Sequence, residues 1–525
     1  MEQLKLIKNQ GLTPLDYDLV VIGGGITGAG VFREAVRMGL KTLLCETHDF
    51  AWGTSSRSSK LIHGGLRYLK EGKIFLTYDS VKQRERLLRE APGMIEPIGF
   101  MMPIHKDRGP GKLSMQAGLS IYDRMAGNSR HCFFDREAFA RRVPGIASED
   151  IIGGFHFMDA QADDARLVLR LIAEGRSAGG TALNYTRVAG INRGQTGAVA
   201  GVSLEDTESG ETAEIPAKAV INATGAWAEK LHPSPRPQLH LRPLRGSHLM
   251  FPRWRLPINQ AITLIHPKDE RPLFIIPWEG ALLLGTTDLD HGPEICKEPV
   301  ITRAEADYLM EALTACFPAA GIGLQDAVSS WAGIRPVLSR GQKDPSKESR
   351  EYIVWIKDGL VTVTGGKLTT FRSLARDALN AAMPWLPPCP PVQTNAAAFA
   401  AAAPAHPSGA GPVSPSALRR LYGRYGRLAD QMMARAVPED LNRMPGTETL
   451  WAELPLLAKT EQIRHLSDLL LRRVRIGLLM PEGGKEHLDR IQQLCAPDLP
   501  WDETRWQQER KAYLDHWQQA YSVPL

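Results

Sequence analysis

Three glycines near the N-terminus have the spacing of a phosphate-binding turn. Gly23, Gly25 and Gly28 follow a short β-branched run and precede apolar residues at helical spacing. Because glycine has no side chain, such a turn closes tightly and leaves the first N–H groups of the next helix available to a pyrophosphate. Glu46 ends a second predicted strand about 20 residues further on, where an acid binds a ribose hydroxyl. The pattern predicts a βαβ dinucleotide-binding unit and leaves FAD and NAD as alternatives.

A polar segment after this unit has the composition of a cofactor loop. It runs from Gly53 to Lys60 and is rich in serine. Small hydroxyls permit close contact with phosphate oxygens, although serine clusters are more often solvated loops or helix caps. We favour cofactor binding because the segment directly follows the strand that ends in an acid. The residues predicted to bind are Thr54, Ser55, Ser56, Ser59, Leu61 and His63.

Two later segments favour FAD over NAD. Residues 219–227 and 360–370 each form an apolar run that ends in a glycine turn, and both are predicted to return to the nucleotide sheet. A helix beginning near Lys367 would direct its positive end at a bound ring and suit the anion of a reduced flavin. Taken singly, each segment is also compatible with a plain strand-to-helix connection. The predicted cofactor residues here are Ala223, Thr224, Gly225, Gly365, Gly366, Lys367, Leu368 and Thr369.

Composition limits the class of protein. A chain of 525 residues is too long for one core, so at least two domains are expected. The net charge of +5 is too small to suggest nucleic acid as a partner. Six cysteines without a CxxC pair argue against a metal site or a disulfide framework. No apolar run approaches the roughly 18 residues of a spanning helix. The polar segment from Met1 to Asp16 does not resemble a secretory signal, so a cytoplasmic protein is expected.

The rest of the chain predicts a covering sheet and a helical tail. Short strands with turn residues over 231–330 indicate a sheet layer above the site, and the Pro- and Ala-rich residues 387–416 indicate a linker. In the tail, four apolar residues fall on one face of a predicted basic helix: Ile463, Leu466, Leu470 and Val474. A core-facing helix with a solvated rim is favoured over a membrane-contacting one. The rim residues are Arg464, Arg472, Arg473 and Arg475.

Together these features predict an α/β fold. It comprises a Rossmann-like FAD-binding domain, an inserted mixed-sheet substrate domain and a C-terminal helical domain. The expected boundaries are 16–90, 145–230 and 330–386 for the FAD-binding domain, 91–144 and 231–329 for the substrate or cap domain, 387–416 for the linker, and 417–525 for the helical domain.

Six sequence blocks resemble one family along nearly the whole chain. They are GGGITG (23–28), TSSRSSKLIHGGLRY (54–68), DDARL (163–167), GTTD (285–288), GIRP (333–336) and GGKLTT (365–370). They are similar to those of the FAD-dependent, aerobic, respiratory-type glycerol-3-phosphate dehydrogenases. The second and last blocks are specific to that family rather than to flavoproteins in general. The tail from about residue 417 matches more loosely, and Phe32 departs from the small residue usual in the glycine helix, which puts the packing of that helix in question.

The resemblance implies a reaction and its partners. The reaction is oxidation of sn-glycerol 3-phosphate to dihydroxyacetone phosphate by hydride transfer from C2 to N5 of non-covalent FAD. The electrons then pass to a membrane quinone. The enzyme is expected to be a homodimer, peripheral on the inner face of the cytoplasmic membrane.

The resemblance also implies the site residues, carried over by motif. The substrate-site candidates are Arg67, Tyr68, His248, Arg335, Arg350 and Lys367. Four of these are cations, and each charge-assisted bond to a phosphate contributes roughly 1.5–3 kcal/mol. The catalytic candidates are Arg335, His248 and Lys367. His248 is the candidate base because a histidine pKa lies near operating pH; His63 is a rival base, and a structural histidine is the alternative. Arg335 is a further candidate for holding and acidifying the hydroxyl.

The sequence is also compatible with two other functions. A related flavin oxidase or dehydrogenase would act on an amino or 2-hydroxy acid, whose carboxylate needs only one arginine. A flavin-binding protein without catalysis would use the basic tail to bind a membrane or a partner.

Overall fold

The computed structural model describes residues 17–525 except 71, 128–129, 232–240, 293, 296, 340, 342–347, 349–350, 394 and 401–412, and without the side chains of residues 67 and 70. The side chain of Arg67 and all of Arg350 therefore lie outside the described residues. No helix within the described ranges combines the length and the apolar content needed to cross a bilayer.

The strands form two sheets. In chain order they are β1 (Tyr17–Ile22), β2 (Thr42–Cys45), β3 (Leu61–Ile62), β4 (Ile95–His105), β5 (Cys132–Asp135), β6 (Ile151–Ala162), β7 (Thr181–Leu183), β8 (Thr186–Arg193), β9 (Val199–Asp206), β10 (Thr212–Asn222), β11 (Leu241–Pro252), β12 (Ala261–Ile265), β13 (Pro272–Trp278), β14 (Ala281–Gly285), β15 (Leu289–Asp290), β16 (Ser329–Leu338), β17 (Tyr352–Lys357) and β18 (Leu360–Gly365).

The helices cover the sheets and form the C-terminal region. They are α1 (Ile26–Arg37), α2 (Leu66–Lys70), α3 (Ile74–Glu90), α4 (Lys112–Ala126), α5 (Arg136–Arg142), α6 (Asp164–Ser177), α7 (Arg303–Cys316), α8 (Phe371–Ala382), α9 (Pro415–Tyr425), α10 (Leu428–Arg435), α11 (Glu453–Thr460), α12 (Leu466–Asp468), α13 (Ile476–Leu479), α14 (Leu488–Cys495) and α15 (Glu503–Ala520). Short 3-10 turns include Thr54–Ser56 and Leu368–Thr370.

The first sheet is the predicted nucleotide sheet. Its strand order is β17-β18-β10-β1-β2-β7, and β18, β10, β1, β2 and β7 run parallel. The antiparallel strands β8 and β9 extend it from β10. The prediction that segments 219–227 and 360–370 return to this sheet is confirmed. Parallel strands place their carboxyl ends at one edge, so the glycine turns that follow β1, β10 and β18 meet there.

The second sheet lies over that edge. Its order is β15-β11-β14-β13-β12-β4-β6-β3, with β16 paired to β11 and β5 paired to β6. The long antiparallel pair of β11 and β16 brings Arg335 opposite Leu244. The predicted sheet layer over 231–330 is therefore present, and it also recruits β3–β6. The domain boundaries themselves stay predictions.

Phe32 packs between helices without distorting the glycine helix. The ring is fully buried on α1 and faces α6. A Cβ atom built at Gly175 would lie 2.4 Å from the ring, and one at Gly180 would lie 2.6 Å from it. The two glycines leave the space that the large ring fills, which resolves the packing question raised by this residue.

The basic segment near residue 470 differs from the prediction. It forms the single turn of α12, a π-helical turn over Leu469–Arg473 and the short α13 rather than one amphipathic helix. Arg472, Arg473 and Arg475 are buried, and the first two pair with the buried Asp49. The predicted solvated rim is wrong for these three arginines. A guanidinium can be buried where a carboxylate neutralises it.

Part of the predicted linker packs against the first sheet layer. Phe399 is buried in the core of the nucleotide unit, the N–H of Ala398 donates to Glu90, and the carbonyl of Ala397 accepts from Arg37. Residues 401–412 lie outside the described part of the chain, and helical structure resumes at α9.

Candidate active site

A cavity of about 1500 Å³ lies between the two sheets. Its floor is the carboxyl edge of the parallel strands, where Gly23 follows β1, Ala223 follows β10 and Gly365 ends β18. Its other wall comes from the second sheet, with Phe274 on β13 and Arg335 on β16. The cavity is larger than the roughly 300–1,000 Å³ of an ordinary small-ligand pocket, so it has room for a dinucleotide and a second molecule.

The glycine turn has the geometry of a phosphate cradle. Gly23 has φ +106°, and a Cβ atom there would lie 2.7 Å from the carbonyl oxygen of Ala223. A Cβ at Gly28 would lie 1.8 Å from the carbonyl oxygen of Gly23. Gly25 lines the cavity as the N-cap of α1, whose first turn has neither a side-chain cap nor an acidic residue. Gly28 does not line the cavity but allows the turn to close.

Glu46 lies at the edge of the same turn. Its carboxylate accepts the N–H of Gly24 at 2.7 Å and the N–H of His48 at 2.9 Å. Burial raises the pKa of Glu46, and these two backbone hydrogen bonds act in the opposite direction. The carboxylate is therefore fixed in orientation at the cavity wall, as recognition of a ribose hydroxyl requires.

The serine segment wraps the start of α1. Ser55 Oγ accepts the N–H of Ile26 at 2.9 Å, and Thr54 Oγ1 donates to the carbonyl of Ile334. Thr54, Ser55, Ser59, Leu61 and His63 all line the cavity, whereas Ser56 is buried behind it. Five of the six residues predicted in this segment thus meet at the cavity.

The turns after β10 and β18 complete the floor. The eight residues predicted there all line the cavity: Ala223, Thr224, Gly225, Gly365, Gly366, Lys367, Leu368 and Thr369. Thr364 Oγ1 donates to the carbonyl of Gly225 at 2.7 Å and ties the two turns together. The chain after Lys367 makes a 3-10 turn before α8 begins at Phe371.

Two of the predicted substrate residues stand together beside this floor. Lys367 Nζ lies 3.8 Å from the centre of the Tyr68 ring and 3.2 Å from Ser80 Oγ. Both Tyr68 and Lys367 line the cavity. An ammonium held over an aromatic face keeps its charge in a defined position.

Arg335 lies on the opposite wall in a second cationic group. Its Nη1 donates to the buried Asp288 at 2.8 Å, and its Nη2 donates to Thr286 Oγ1 at 3.1 Å. The other oxygen of Asp288 lies 3.3 Å from Arg271 Nη2. One carboxylate thus orients two arginines, and the group keeps a net positive charge toward the cavity.

His248 does not line the cavity. It is buried behind Ser59, with Nε2 2.9 Å from Ser59 Oγ and the ring stacked on Trp331. Burial, Arg335 and Lys60 together hold the pKa of His248 well below its usual range. The rival histidine, His63, does line the cavity. His248 therefore meets the cavity only through the serine hydroxyl.

Arg271 was missed by reasoning from the sequence. It lines the cavity beside Asp288, yet it lies in an ordinary turn sequence, Lys268 to Arg271, ahead of β13. The available signal was the GTTD block, because a buried Asp288 requires a cationic partner. That signal indicates the need for an arginine but not its position.

The residues present fit FAD. The N-terminus of α1, which has no acidic residue in its first turn, lines the cavity through Ile26 and Thr27 and suits a pyrophosphate. Glu46 suits a ribose hydroxyl. Lys367 stands where the turns after β10 and β18 meet and suits negative charge on a reduced ring.

The comparisons with known proteins agree with this geometry. The sequence model described as "FAD dependent oxidoreductase" matches residues 18–372, and the model described as "C-terminal domain of alpha-glycerophosphate oxidase" matches residues 370–506. The cavity, with its glycine turn and parallel sheet, is thus that of an FAD-dependent oxidoreductase.

Individual relatives identify the family within the FAD-dependent oxidoreductases. The aerobic glycerol-3-phosphate dehydrogenase of Staphylococcus aureus (strain MRSA252) is 33% identical over 483 residues, which are 87% of this chain and 86% of that protein. The solved glycerol-3-phosphate dehydrogenase from Bacillus halodurans, complexed with FAD, has a TM-score of 0.77 at 26% identity and covers 100% of this chain and 98% of its own. L-alpha-glycerophosphate oxidase from Mycoplasma pneumoniae shares the fold, with a TM-score of 0.57 at 18% identity over 74% of this chain and 99% of its own. The chain belongs to the FAD-dependent glycerol-3-phosphate dehydrogenase family.

Proposed function

We propose that this enzyme oxidises sn-glycerol 3-phosphate at C2 to dihydroxyacetone phosphate and that its electrons pass to a membrane quinone. The observation that carries the proposal is the placement of Lys367 and Arg335 on facing walls of the cavity that holds the glycine turn. Bound FAD supplies the hydride acceptor, at N5 of its ring. The protein must hold a dianion, place its C2 toward the ring and take the hydroxyl proton.

Cations that line the cavity are proposed to hold the phosphate. Arg335 and Arg271 are oriented by Asp288, and Lys367 is oriented by Tyr68. Arginine suits this role because its planar fork contacts two phosphate oxygens at once. The family resemblance leads us to propose that Arg67 and Arg350 join this set. The side chain of Arg67 and all of Arg350 lie outside the described residues. A carboxylate substrate has fewer charges and fewer oxygens than a phosphate, so it would form fewer charge-assisted bonds with this set.

His63 is the proposed base for the C2 hydroxyl proton. It stands at the cavity wall, whereas His248 is buried and held neutral by its lowered pKa. We assign His248 a positioning role: its Nε2 lies within hydrogen-bond distance of Ser59 Oγ, at 2.9 Å, and holds that hydroxyl at the cavity wall. In this proposal the hydroxyl proton leaves the substrate for His63, and Ser59 is held in place beside it at the cavity wall.

A dye-linked assay with a substrate panel tests the substrate. Glycerol 3-phosphate should turn over, and glycerol should fall short in kcat/KM by about 10³-fold or more, because it lacks the phosphate that forms charge-assisted bonds with the cations. Glycine and lactate represent the amino acid and 2-hydroxy acid alternatives. Turnover of either, with none for glycerol 3-phosphate, would reject the proposal. A flavin-bound protein inactive with all of these compounds would favour a binding protein without catalysis.

Exposed apolar side chains beside the cavity support a peripheral membrane location. The apolar patch consists of Ile74, Phe75, Tyr78 and Leu113, and Phe75 and Leu113 are 90% and 85% exposed. Lys82 Nζ lies 5.4 Å from the centre of the Tyr78 ring, and Lys112 directly precedes Leu113 in the chain. Such a surface suits an anionic lipid headgroup layer with apolar side chains inserted.

The patch also suits a quinone acceptor. Lys73 and Met115 line the cavity and lie one and two residues from Ile74 and Leu113, and the exposed Gly109 lines it as well. The cavity thus reaches the surface beside the patch, and a lipid-soluble acceptor would approach without crossing water. We place this surface on the inner face of the cytoplasmic membrane.

Flotation with phosphatidylglycerol vesicles tests the membrane surface. Phe75→Ser with Leu113→Ser should abolish flotation, and Trp254→Ser should not, although Trp254 is 73% exposed at another site. Equal flotation of the parent, the double variant and Trp254→Ser would exclude the patch as the membrane-binding surface.

The homodimer implied by the family is tested by sedimentation at micromolar concentration, where a monomer would contradict it.

A further inference from the structure

The cofactor loop, Gly53 to Lys60, is held from behind by buried charges. The carboxylate of Asp164, at the start of α6, accepts the N–H of Ser58 at 2.9 Å and its Oγ–H at 2.7 Å. Lys60 Nζ donates to Asp164 at 2.8 Å and to the carbonyl of Ser56 at 2.6 Å. Asp164 and Lys60 are fully buried. The loop therefore has a fixed rear face, on the side away from the cavity.

A residue of the C-terminal region completes this rear face. Arg475 Nη2 donates to the carbonyl of Ser56 at 2.9 Å and to Asp164 at 2.5 Å, and Nη1 donates to the carbonyl of Leu471 at 2.8 Å. The residue is 1% exposed and has φ +64°. A non-glycine residue keeps such a conformation where its surroundings over-determine it.

The chain end makes a second contact with the loop. Arg57 Nη2 donates to the Tyr521 hydroxyl oxygen at 3.0 Å, and Arg57 Nη1 donates to the carbonyl of Trp52 at 2.5 Å. The carbonyl of Tyr521 in turn accepts the N–H of Ser330 on β16 at 2.8 Å. Tyr521 thus joins the loop to the strand that carries Arg335.

We propose that Arg475 and Tyr521 are positioning residues for cofactor binding, through which the C-terminal region holds the loop in the conformation that binds FAD. Within the described chain, no residue after Thr369 lines the cavity, so this action is exerted from behind. The inference rests on the proposed contact of the loop with FAD.

The physical reason is preorganisation. The loop has one 3-10 turn and otherwise irregular backbone, so an unsupported loop would lose conformational entropy on binding. The contacts of Arg475 to a backbone carbonyl and to Asp164 remove that freedom beforehand. Thr54, Ser55 and Ser59 are then already directed at the cavity.

Release of FAD from the holoenzyme tests the proposal. Arg475→Lys keeps the charge, but the lysine side chain is one atom shorter and ends in a single nitrogen, so it cannot replace both Nη2, which contacts Ser56 and Asp164, and Nη1, which contacts Leu471. After dilution, FAD fluorescence should appear about tenfold faster than in the parent, as expected for one or two charge-assisted bonds lost. Arg420→Lys is the matched control, because Arg420 pairs with Glu279 and Glu453 and does not touch the loop. Its release rate should stay within about twofold of the parent.

Two further measurements distinguish a role in positioning the cofactor loop from a general loss of protein stability. The visible circular dichroism of the bound flavin should change in Arg475→Lys and not in Arg420→Lys, with both proteins folded. Equal effects of the two variants, or unchanged release in Arg475→Lys, would overturn the proposal. If Arg475→Lys does not fold, Tyr521→Phe removes only one hydroxyl and should speed release about threefold; unchanged release would again overturn it.

The loop itself supplies the remaining control. Ser55→Ala should accelerate FAD release regardless of Arg475, because Ser55 lines the cavity. Unchanged release in Ser55→Ala would show that the loop does not bind FAD and would remove the basis of both proposals. Fast release in Ser55→Ala with parent-like Arg475→Lys would reject the positioning role alone.

Discussion

At the scale of single residues, Asp288 sets the charge of the part of the cavity that we propose binds the substrate. One buried carboxylate pairs with Arg335 and Arg271, so two guanidiniums are held about one anion, and both residues line the cavity. A pair of cations without this anion would repel each other. The arrangement keeps them close enough to bind one phosphate.

Arg271→Ala should weaken substrate binding. Loss of one charge-assisted contact predicts a KM for glycerol 3-phosphate raised about 10- to 100-fold, with a smaller effect on kcat. Steady-state kinetics with a dye acceptor measure this. Arg255→Ala, which removes an arginine paired with Asp326 away from the cavity, is the control and should leave KM unchanged. A parent-like KM in Arg271→Ala would exclude contact with the phosphate.

The two histidines should differ in their effect on the pH profile. His63→Gln should lower kcat by about 10²- to 10⁴-fold and remove the acidic limb of kcat/KM, because the base is lost. His248→Gln should keep that limb, since burial beside Arg335 and Lys60 already holds the pKa of His248 well below its usual range. The reverse pattern would make His248 the base.

Motif reasoning located most of this site, and its misses have physical causes. The glycine turn and the GGKLTT block are local patterns, so their residues meet at the cavity as predicted. The position of His248 depends on how β11 packs beneath Ser59, which no spacing along the chain reveals. Arg271 is identified only by its ion pair with Asp288, which lies in a different turn of the second sheet.

At the scale of elements, the contact between α1 and α6 fixes the glycine helix. Phe32 occupies the space left by Gly175 and Gly180, and a side chain at either glycine would meet the ring. The tilt of α1, and therefore the direction of its N-terminus toward the cavity, depends on this fit.

Gly175→Ala tests that fit. The added methyl should destabilise the protein by about 1–3 kcal/mol because the ring has no room to move. In a Phe32→Ala background the same methyl should be neutral or stabilising, since the space is then empty. Thermal unfolding of the four proteins gives the coupling. Equal effects of Gly175→Ala in both backgrounds would contradict the contact.

His465 joins the C-terminal region to two other elements. Its ring lies 2.9 Å from Glu208, between β9 and β10, and 3.0 Å from Glu509 on α15. Burial alone would lower its pKa, but the two carboxylates outweigh burial and raise the pKa of His465 from 6.5 to about 10. A pKa raised in the folded state contributes stability that is complete below 6.5 and lost as pH rises toward 10.

His465→Gln should therefore flatten the dependence of stability on pH. The parent should lose melting temperature between pH 6.5 and 10 more steeply than the variant, with the largest difference between the two proteins at the acidic end. Thermal scans across that range measure it. Parallel curves for the two proteins would show that the histidine is not charged by its partners.

Elements were predictable where burial follows the local pattern. Apolar runs gave β10, β13, β14 and β18 because strands buried on both faces have continuous apolar sequence. The arginines near residue 470 were assigned to solvent because their partners are remote: Arg473 and Asp49 are 424 residues apart in sequence. Charge alone does not reveal such a pair.

At the scale of the whole molecule, three parts of the chain contribute to the proposed reaction site. The first sheet presents the glycine turn and Lys367, the second sheet adds Arg335 and Arg271, and the C-terminal region supports the cofactor loop from behind. The exposed apolar patch lies beside the same cavity. Substrate binding, electron transfer and membrane contact are thus proposed to share one face.

Anaerobic titration of the oxidised holoenzyme with sn-glycerol 3-phosphate tests the central claim most directly. The proposal predicts that the visible flavin band bleaches in proportion to added substrate and that dihydroxyacetone phosphate is formed. The bleaching should slow by about 10²-fold or more in Lys367→Met, where the cation facing the ring is lost. A flavin band that stays unchanged with excess substrate would contradict the account.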